Sequence, residues 1–368
     1  MKNHLLTLIA VGLSELLNLT GSSALAQPAL TIAPAGRQSV LFWSQTPTNY
    51  LLQSTTNLVS PNWVTANDAL PVTAITVSNS LPARYFRMIY TNPPAGMVLI
   101  PAGLFTLGNS IGDSDITDAN PTNVYVSGFY MDTNLVTSNL WATVYTYATS
   151  QSYSFVNAGE GKGTNYPVER VDWYDCVKWC NARSQQAGLT PVYYTDAGLT
   201  QVYKTGEVTP YVNWVANGFR LPTEAEWEKA ARGGVSGRRF PWGNLIDENQ
   251  ANYYGNTNSY AYDFGPNTYN SVGSVGGTSP ATSPVGSFDV SAYGLYDIVG
   301  NVSEWCWDWY GTPYAGGNNP SGPASGTHRV LRGGYWSSNA SFVRCAYRND
   351  YQPNNQHPYI GFRCVRGL

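Results

Sequence analysis

Two carboxylates, Asp297 and Glu304, stand on either side of Gly300-Asn301, a pair suited to a tight turn. Such a turn can converge backbone carbonyls between two acids. Calcium takes six to eight oxygens at about 2.3–2.6 Å from this mixture of carboxylates and carbonyls. The alternative is an ordinary turn whose acids are solvated or salt-bridged. Sulfur is the second resource. Cys176, Cys180, Cys306, Cys345 and Cys364 all lie in the second half of the chain, and their odd number leaves at least one unpaired within a molecule. Aromatic residues are the third. Tyr335, Trp336 and Phe342 gather around Ser338, and Trp305, Trp307 and Trp309 alternate as they would along one strand face. An aromatic-lined concavity with a few polar groups is a usual form of ligand site. The competing reading is core packing, and the spacing favours it for the tryptophan trio.

Helices must position these groups. Thr223 precedes Glu224-Ala225-Glu226-Trp227-Glu228-Lys229-Ala230-Ala231-Arg232, and Thr223 with Glu226 fits a capping box. Acids open this segment, bases close it, and Gly233 suits a left-handed stop. A second helix is predicted from Asp172, its N-cap, to Ala187, with Gly188 beyond. Trp173, Cys176, Val177 and Cys180 share one face of it, so both thiols point inward. A third is predicted over Ser138 to Ala148. Residues 245 to 285 are rich in Gly, Asn, Ser and Tyr and read as irregular loop, long enough to need an external tether.

Residues 27–92 read differently. Ser39–Trp43, Tyr50–Gln53, Ala74–Val77 and Arg84–Tyr90 are short β-branched or aromatic runs separated by turn chemistry, which predicts a small all-β sandwich, loosely fibronectin-III-like. Residues 93–96 are the expected linker. Residues 1–26 have the form of a secretory signal: Lys2, an apolar run from Leu5 to Leu13, and Ala24-Leu25-Ala26 before Gln27. The apolar run is about half the length a spanning helix needs, and no later segment is long and apolar enough to span. Export (periplasmic, cell-surface or secreted) follows and permits disulfides. The formal net charge of −3 provides no basic field for nucleic acid.

Six blocks, in order, resemble the formylglycine-generating enzyme (sulfatase-modifying factor) domain over residues 97–368. They are Gly218–Glu228, Phe240–Asn244, Pro284–Gly286, Tyr293–Trp305, Arg329–Gly334 and Gly361–Cys364. The resemblance implies an α+β, C-type-lectin-like fold, poor in regular structure, with structural calcium. Matched position by position, Asp297 and Glu304 would bind calcium through side chains, and Gly300 and Val302 through carbonyls. A second calcium would take Asn252 and Asp263. The resemblance also implies a Cys180–Cys364 disulfide. Its second bridge would join Cys345 to a position held here by Ala231; Cys306 or Cys176 could substitute, and Cys306–Cys345 is the pairing we take.

The family's oxidase holds copper(I) on two nearby cysteines and acts on a sulfatase cysteine. Here those positions fall at Ser338 and Ala340, and the serine expected after the paired glycines is Tyr335. Copper is therefore not expected. Relatives with a three-histidine iron site are excluded too, because beyond the signal only His328 and His357 remain. The expectation is an exported, calcium-stabilised, non-catalytic relative, a pseudoenzyme. It would bind a peptide, protein or glycan in a cleft near Tyr335, Trp336, Ser338 and Phe342. The alternative is an oxidase of sulfatase cysteines whose thiols, Cys306 or Cys345, are displaced.

Overall fold

The computed structural model describes residues 93–270, 281–314 and 316–368 in full, and between residues 30 and 90 the backbone of six strands. The signal-like residues 1–26 lie outside the described residues. In the N-terminal part, the four expected runs are strands, joined by Leu30–Ala35 and Val64–Thr65, which the sequence did not single out. They form two antiparallel three-stranded sheets. Leu30–Ala35 pairs with Gln38–Trp43 and that with Ala74–Ser78; Val64–Thr65 and Tyr85–Tyr90 flank Tyr50–Thr55.

From Met97 the described residues mix three α-helices with short strands, an α+β arrangement. The strands Met97–Ile100 and Val365–Gly367 pair on either side of Phe129–Asp132, all antiparallel. A mixed four-stranded sheet runs Asn349–Tyr351, Arg329–Arg332, Ser303–Trp309, Ile360–Gly361, its last pairing parallel. The loops leaving this sheet, 297–302, 333–342 and 352–359, carry the residues of interest.

The helices follow their caps. Helix α1 spans Ser138–Ser150, capped by Thr137. Helix α2 spans Trp173–Gln186; Asp172 Oδ1 accepts the Asp175 N–H at 2.7 Å. Helix α3 spans Glu224–Arg232, with the full capping box and Gly233 at φ 58°. What the periodicity did not reveal is burial on every side. In α2 the polar face is covered as well: Asp175 accepts the Val156 and Asn157 N–H groups and pairs with Lys178 at 3.0 Å. Asp172 lies in the same buried group, where burial first, and the Asp175 charge second, push its carboxyl up to about 7.

Every residue of α3 is buried too. Its acids meet arginines: Glu228 with Arg332 from the sheet and with Arg232 one turn on, and Glu224 with Arg348 at 2.7 Å. Breaking one buried pair leaves an uncompensated charge, at roughly 3–5 kcal/mol. The Glu228–Arg332 pair clamps α3 onto the Arg329–Arg332 strand, from which the following loop begins. Trp305, Trp307 and Trp309 are core, as their alternation suggested. The buried Arg329 guanidinium lies 3.7 Å from the Trp173 ring centre and 3.4 Å from that of Trp309.

Among the described residues, 245–270 and 281–285 contain no helix or regular strand. The tether expected for this loop comes from within the chain. Bridges join Ile246 to Asp263 and Tyr254 to both Tyr269 and Asn339. The Asp263 carboxylate takes the Tyr253 hydroxyl at 2.6 Å and the Asn256 and Gly265 N–H groups at 2.5 and 2.9 Å.

Candidate functional site

The chain enters the site through the turn at residues 297–301. Asp297, Gly300 and Asn301 all take left-handed backbone (φ 49°, 78° and 63°). Gly300 is required there, because a Cβ would run into the Asn252 carbonyl oxygen. Asp297 Oδ2 accepts the Gly286 N–H at 2.7 Å, and Asn301 Nδ2 donates to Asp297 Oδ1 and the Ser283 carbonyl. Asn252 donates to the Ala281 carbonyl and Ser283 Oγ, and its own carbonyl accepts the Asn301 N–H. Glu304 is bound edge-on by Arg363 at 2.8 and 2.9 Å, and the same guanidinium reaches the Asp297 carbonyl at 3.0 Å.

Asp297 and Glu304 thus meet around one arginine, and the two buried carboxylates exceed that single positive charge. Burial pushes Asp297 up to about 6 and raises Glu304 despite its arginine. A divalent cation would relieve this excess, and the donor types at Asp297, Gly300, Val302 and Glu304 are ones calcium takes, with the Asp297 oxygens here filled by Gly286 and Asn301 and those of Glu304 by Arg363. The second set is filled in the same way. Both oxygens of Asp263 are taken by protein donors, and Asn252 is spent on the 281–283 strap. Among the described residues no group of three or more His, Cys, Asp or Glu side chains is arranged to hold a metal. A cation here would depend on main-chain oxygens.

Beyond Arg332 the chain turns through Gly333 and Gly334, both at positive φ. A Cβ on Gly334 would sit 2.8 Å from the Phe342 carbonyl oxygen. The turn that follows is stitched to the acid loop: Gly300 N–H donates to the Gly333 carbonyl and Trp336 N–H to that of Asn301. Ser338 is buried, not a lining residue as expected. Its Oγ accepts the Tyr335 N–H at 3.1 Å and its carbonyl accepts the Tyr254 N–H. Ala340 is also buried. The positions where the family would carry thiols are therefore interior ones in this chain.

The same turn carries rings. Tyr335 stacks on Tyr359 at 4.2 Å, and Tyr359 on His357 at 4.9 Å. On the other side Trp336 meets Tyr335 edge-on and Tyr269 tilted, and Tyr269 meets Tyr254. All are half-buried, so the expected group at Tyr335 and Trp336 is part of a longer aromatic ribbon. Phe342 pairs instead with Tyr347 at 5.0 Å. The sequence reading missed the rings at 254, 269, 357 and 359. For all but Tyr269 the signal was available: residues 254–262, 335–343 and 351–359 contain no Asp, Glu, Lys or Arg.

All five cysteines are buried free thiols, so neither expected disulfide is formed in this structure. Cys180 and Cys364 bring their sulfurs to 3.6 Å. No such approach joins Cys306 to Cys345. Burial pushes the thiols of Cys176, Cys180 and Cys306 well up, and that of Cys345 up to about 12. The thiolate is the reactive form and the soft-metal ligand, so these groups are chemically quiet.

No described helix is long and apolar enough to cross a membrane. Residues 86–368 match the model of the sulfatase-modifying factor enzyme 1-like domain. The chain is 33% identical over 280 residues to the serine/threonine-protein kinase pkn1 of Chlamydia caviae, covering 74% of this chain but only 38% of that protein. To the formylglycine-generating enzyme of Bos taurus it is 32% identical over 296 residues, covering 74% and 75%. The structure of Treponema denticola variable protein 1 superposes with a TM-score of 0.56 at 28% identity, covering 74% of this chain and 95% of that one. With residues 86–368 matched, this chain belongs to the family of sulfatase-modifying factor (FGE-sulfatase) domains.

Proposed function

We propose that this protein is an exported, calcium-stabilised, non-catalytic member of its family that binds a peptide, protein or glycan on the aromatic ribbon. One observation carries the reading: Ser338 and Ala340, where the copper-binding thiols would stand, are buried, while the neighbouring rings of Tyr335 and Trp336 are partly exposed. The displaced-thiol oxidase is disfavoured because Cys306 and Cys345 are both fully buried, with their thiols held protonated. In this reading residues 97–368 adopt a C-type-lectin-like variant, residues 27–92 form a sandwich that serves as spacer or second binding module, and residues 93–96 link the two. Residues 1–26 are removed on export. Asp297, Gly300, Val302 and Glu304 hold calcium, and its charge would lock the loop on which Trp336 hangs. Asn252 and Asp263 remain the weaker candidates for a second ion. In an oxidising compartment Cys180 and Cys364 close into a disulfide.

The test is direct. Purified protein is incubated with copper(I), oxygen and a Cys-x-Pro-x-Arg peptide, and the peptide mass is followed. The expected outcome is unmodified peptide; conversion of its cysteine to an aldehyde overturns the reading.

A further inference from the structure

The ribbon has a chemical character that narrows its ligand. Its rings brace one another at centroid distances of 4.2 to 6.1 Å, so they are held before any ligand arrives. Rigid Tyr and Trp surfaces lose little conformational entropy on binding. Trp336, half-exposed, meets its described ring neighbours tilted or edge-on, and none lies parallel on its indole. Around it, the loops 254–262, 335–343 and 351–359 offer hydroxyls and amides but no Asp, Glu, Lys or Arg. Burial lowers His357, so the imidazole is neutral at physiological pH. An ionic partner would leave its charge unpaired on such a face, which is costly. A neutral polyhydroxyl partner would not.

At its His357 end the ribbon meets a cleft of about 480 Å³, lined in part by Asn157, Glu160, Arg170 and Gln356. The Arg170 N–H donates to the His357 carbonyl at 3.1 Å, which ties the two features together. Glu160 and Arg170 pair at 3.1 Å on the surface, and Gln356 Oε1 has no hydrogen-bond partner. A carboxylate, a guanidinium and two amides give mixed donors and acceptors, the set that neighbouring hydroxyls of a sugar can satisfy.

From this geometry we propose that the ligand is a neutral oligosaccharide, stacked on the Trp336 indole and running along the ring edges of Tyr335 and Tyr359, with one end in the Asn157–Gln356 cleft. The proposal rests on the non-catalytic binding reading above and names its ligand class.

The full-length protein, with calcium present, is titrated calorimetrically with neutral hexasaccharides (cello-, xylo-, manno- and chito-series), with heparin and hyaluronan fragments, and with the Cys-x-Pro-x-Arg peptide. Binding of at least one neutral series is expected, weakening roughly tenfold or more in Trp336→Ala and in Gln356→Ala at an unchanged melting temperature. Phe342→Ala, whose ring pairs with Tyr347 away from the ribbon, should bind as the parent does. Failure of every neutral series, binding of the acidic fragments alone, or binding indifferent to both substitutions overturns the sugar assignment. Binding of intact peptide alone also removes the sugar but keeps a non-catalytic binder. Aldehyde formation in the peptide arm removes the underlying reading.

Discussion

Asp297 is the residue on which the calcium proposal turns. Its carboxyl is buried, accepts from the Gly286 N–H and Asn301 Nδ2 while Arg363 holds only its backbone carbonyl, and is pushed up to about 6, mainly by loss of solvent. A cation would displace the proton and hold the turn at 297–301. Chelation of the parent should lower the melting temperature of the 97–368 domain, with calcium restoring it. Asp297→Asn should show no difference between chelator and calcium. Equal melting of the parent in both solutions rejects the assignment. These acids were legible in the sequence because Gly300-Asn301 is a turn signal and the flanking carboxylates are polar residues in an apolar stretch. Arg363 was not legible as their partner, because its contact with Glu304 spans a separation that no local pattern encodes. Ser338 was misread for a related reason: exposure is a property of the assembled loops, and a serine in a Ser/Asn-rich run gives no sign of lying underneath.

At the level of elements, helix starts and stops were the most readable features. Thr223 with Glu226, Gly233 and Asp172 act through neighbours within a turn, so their chemistry is visible in a short window. The environment of each helix was hidden. In α2, the loop at 153–157 covers a face that looks solvated by composition, and Asp172 becomes a buried acid held near 7. Its folded value exceeds the unfolded one of about 4. Between about pH 4 and 7 the unfolded chain therefore gives up this proton first, and stability falls as pH rises through that window. The contribution is on the order of 4 kcal/mol at most. Asp172→Asn keeps an N-cap oxygen while removing the titration. Urea midpoints of the variant should fall less between pH 4 and 7 than those of the parent; parallel profiles would exclude Asp172 as the source.

For the whole molecule, the family and the α+β class were readable from six ordered blocks, because a shared scaffold constrains many separated positions at once. The ribbon was only half visible: its rings come from three distant segments, and only Tyr335 and Trp336 adjoin in sequence. The thiols show the same limit. Helical spacing turned Cys180 inward, whereas its proximity to Cys364 depends on the entire domain closing. With sulfurs already 3.6 Å apart, oxidation should join them, enclosing a loop worth about 5 kcal/mol on chain-entropy arithmetic. Oxidised parent should unfold at higher urea than either reduced parent or Cys364→Ser, and those two should agree. No change on oxidation, with mass spectrometry reporting free thiols, would dismiss the bridge.

The placement of Val365–Gly367 has a temporal consequence. This strand flanks Phe129–Asp132 opposite Met97–Ile100, and just before it Arg363 neutralises Glu304. A polypeptide threading outward from its amino end would present an open sheet and an unmatched interior acid until residues 363–367 emerge. Completion of this sheet and pairing of that acid therefore wait on residues 363–367, and a chain stalled short of Arg363 would leave both exposed.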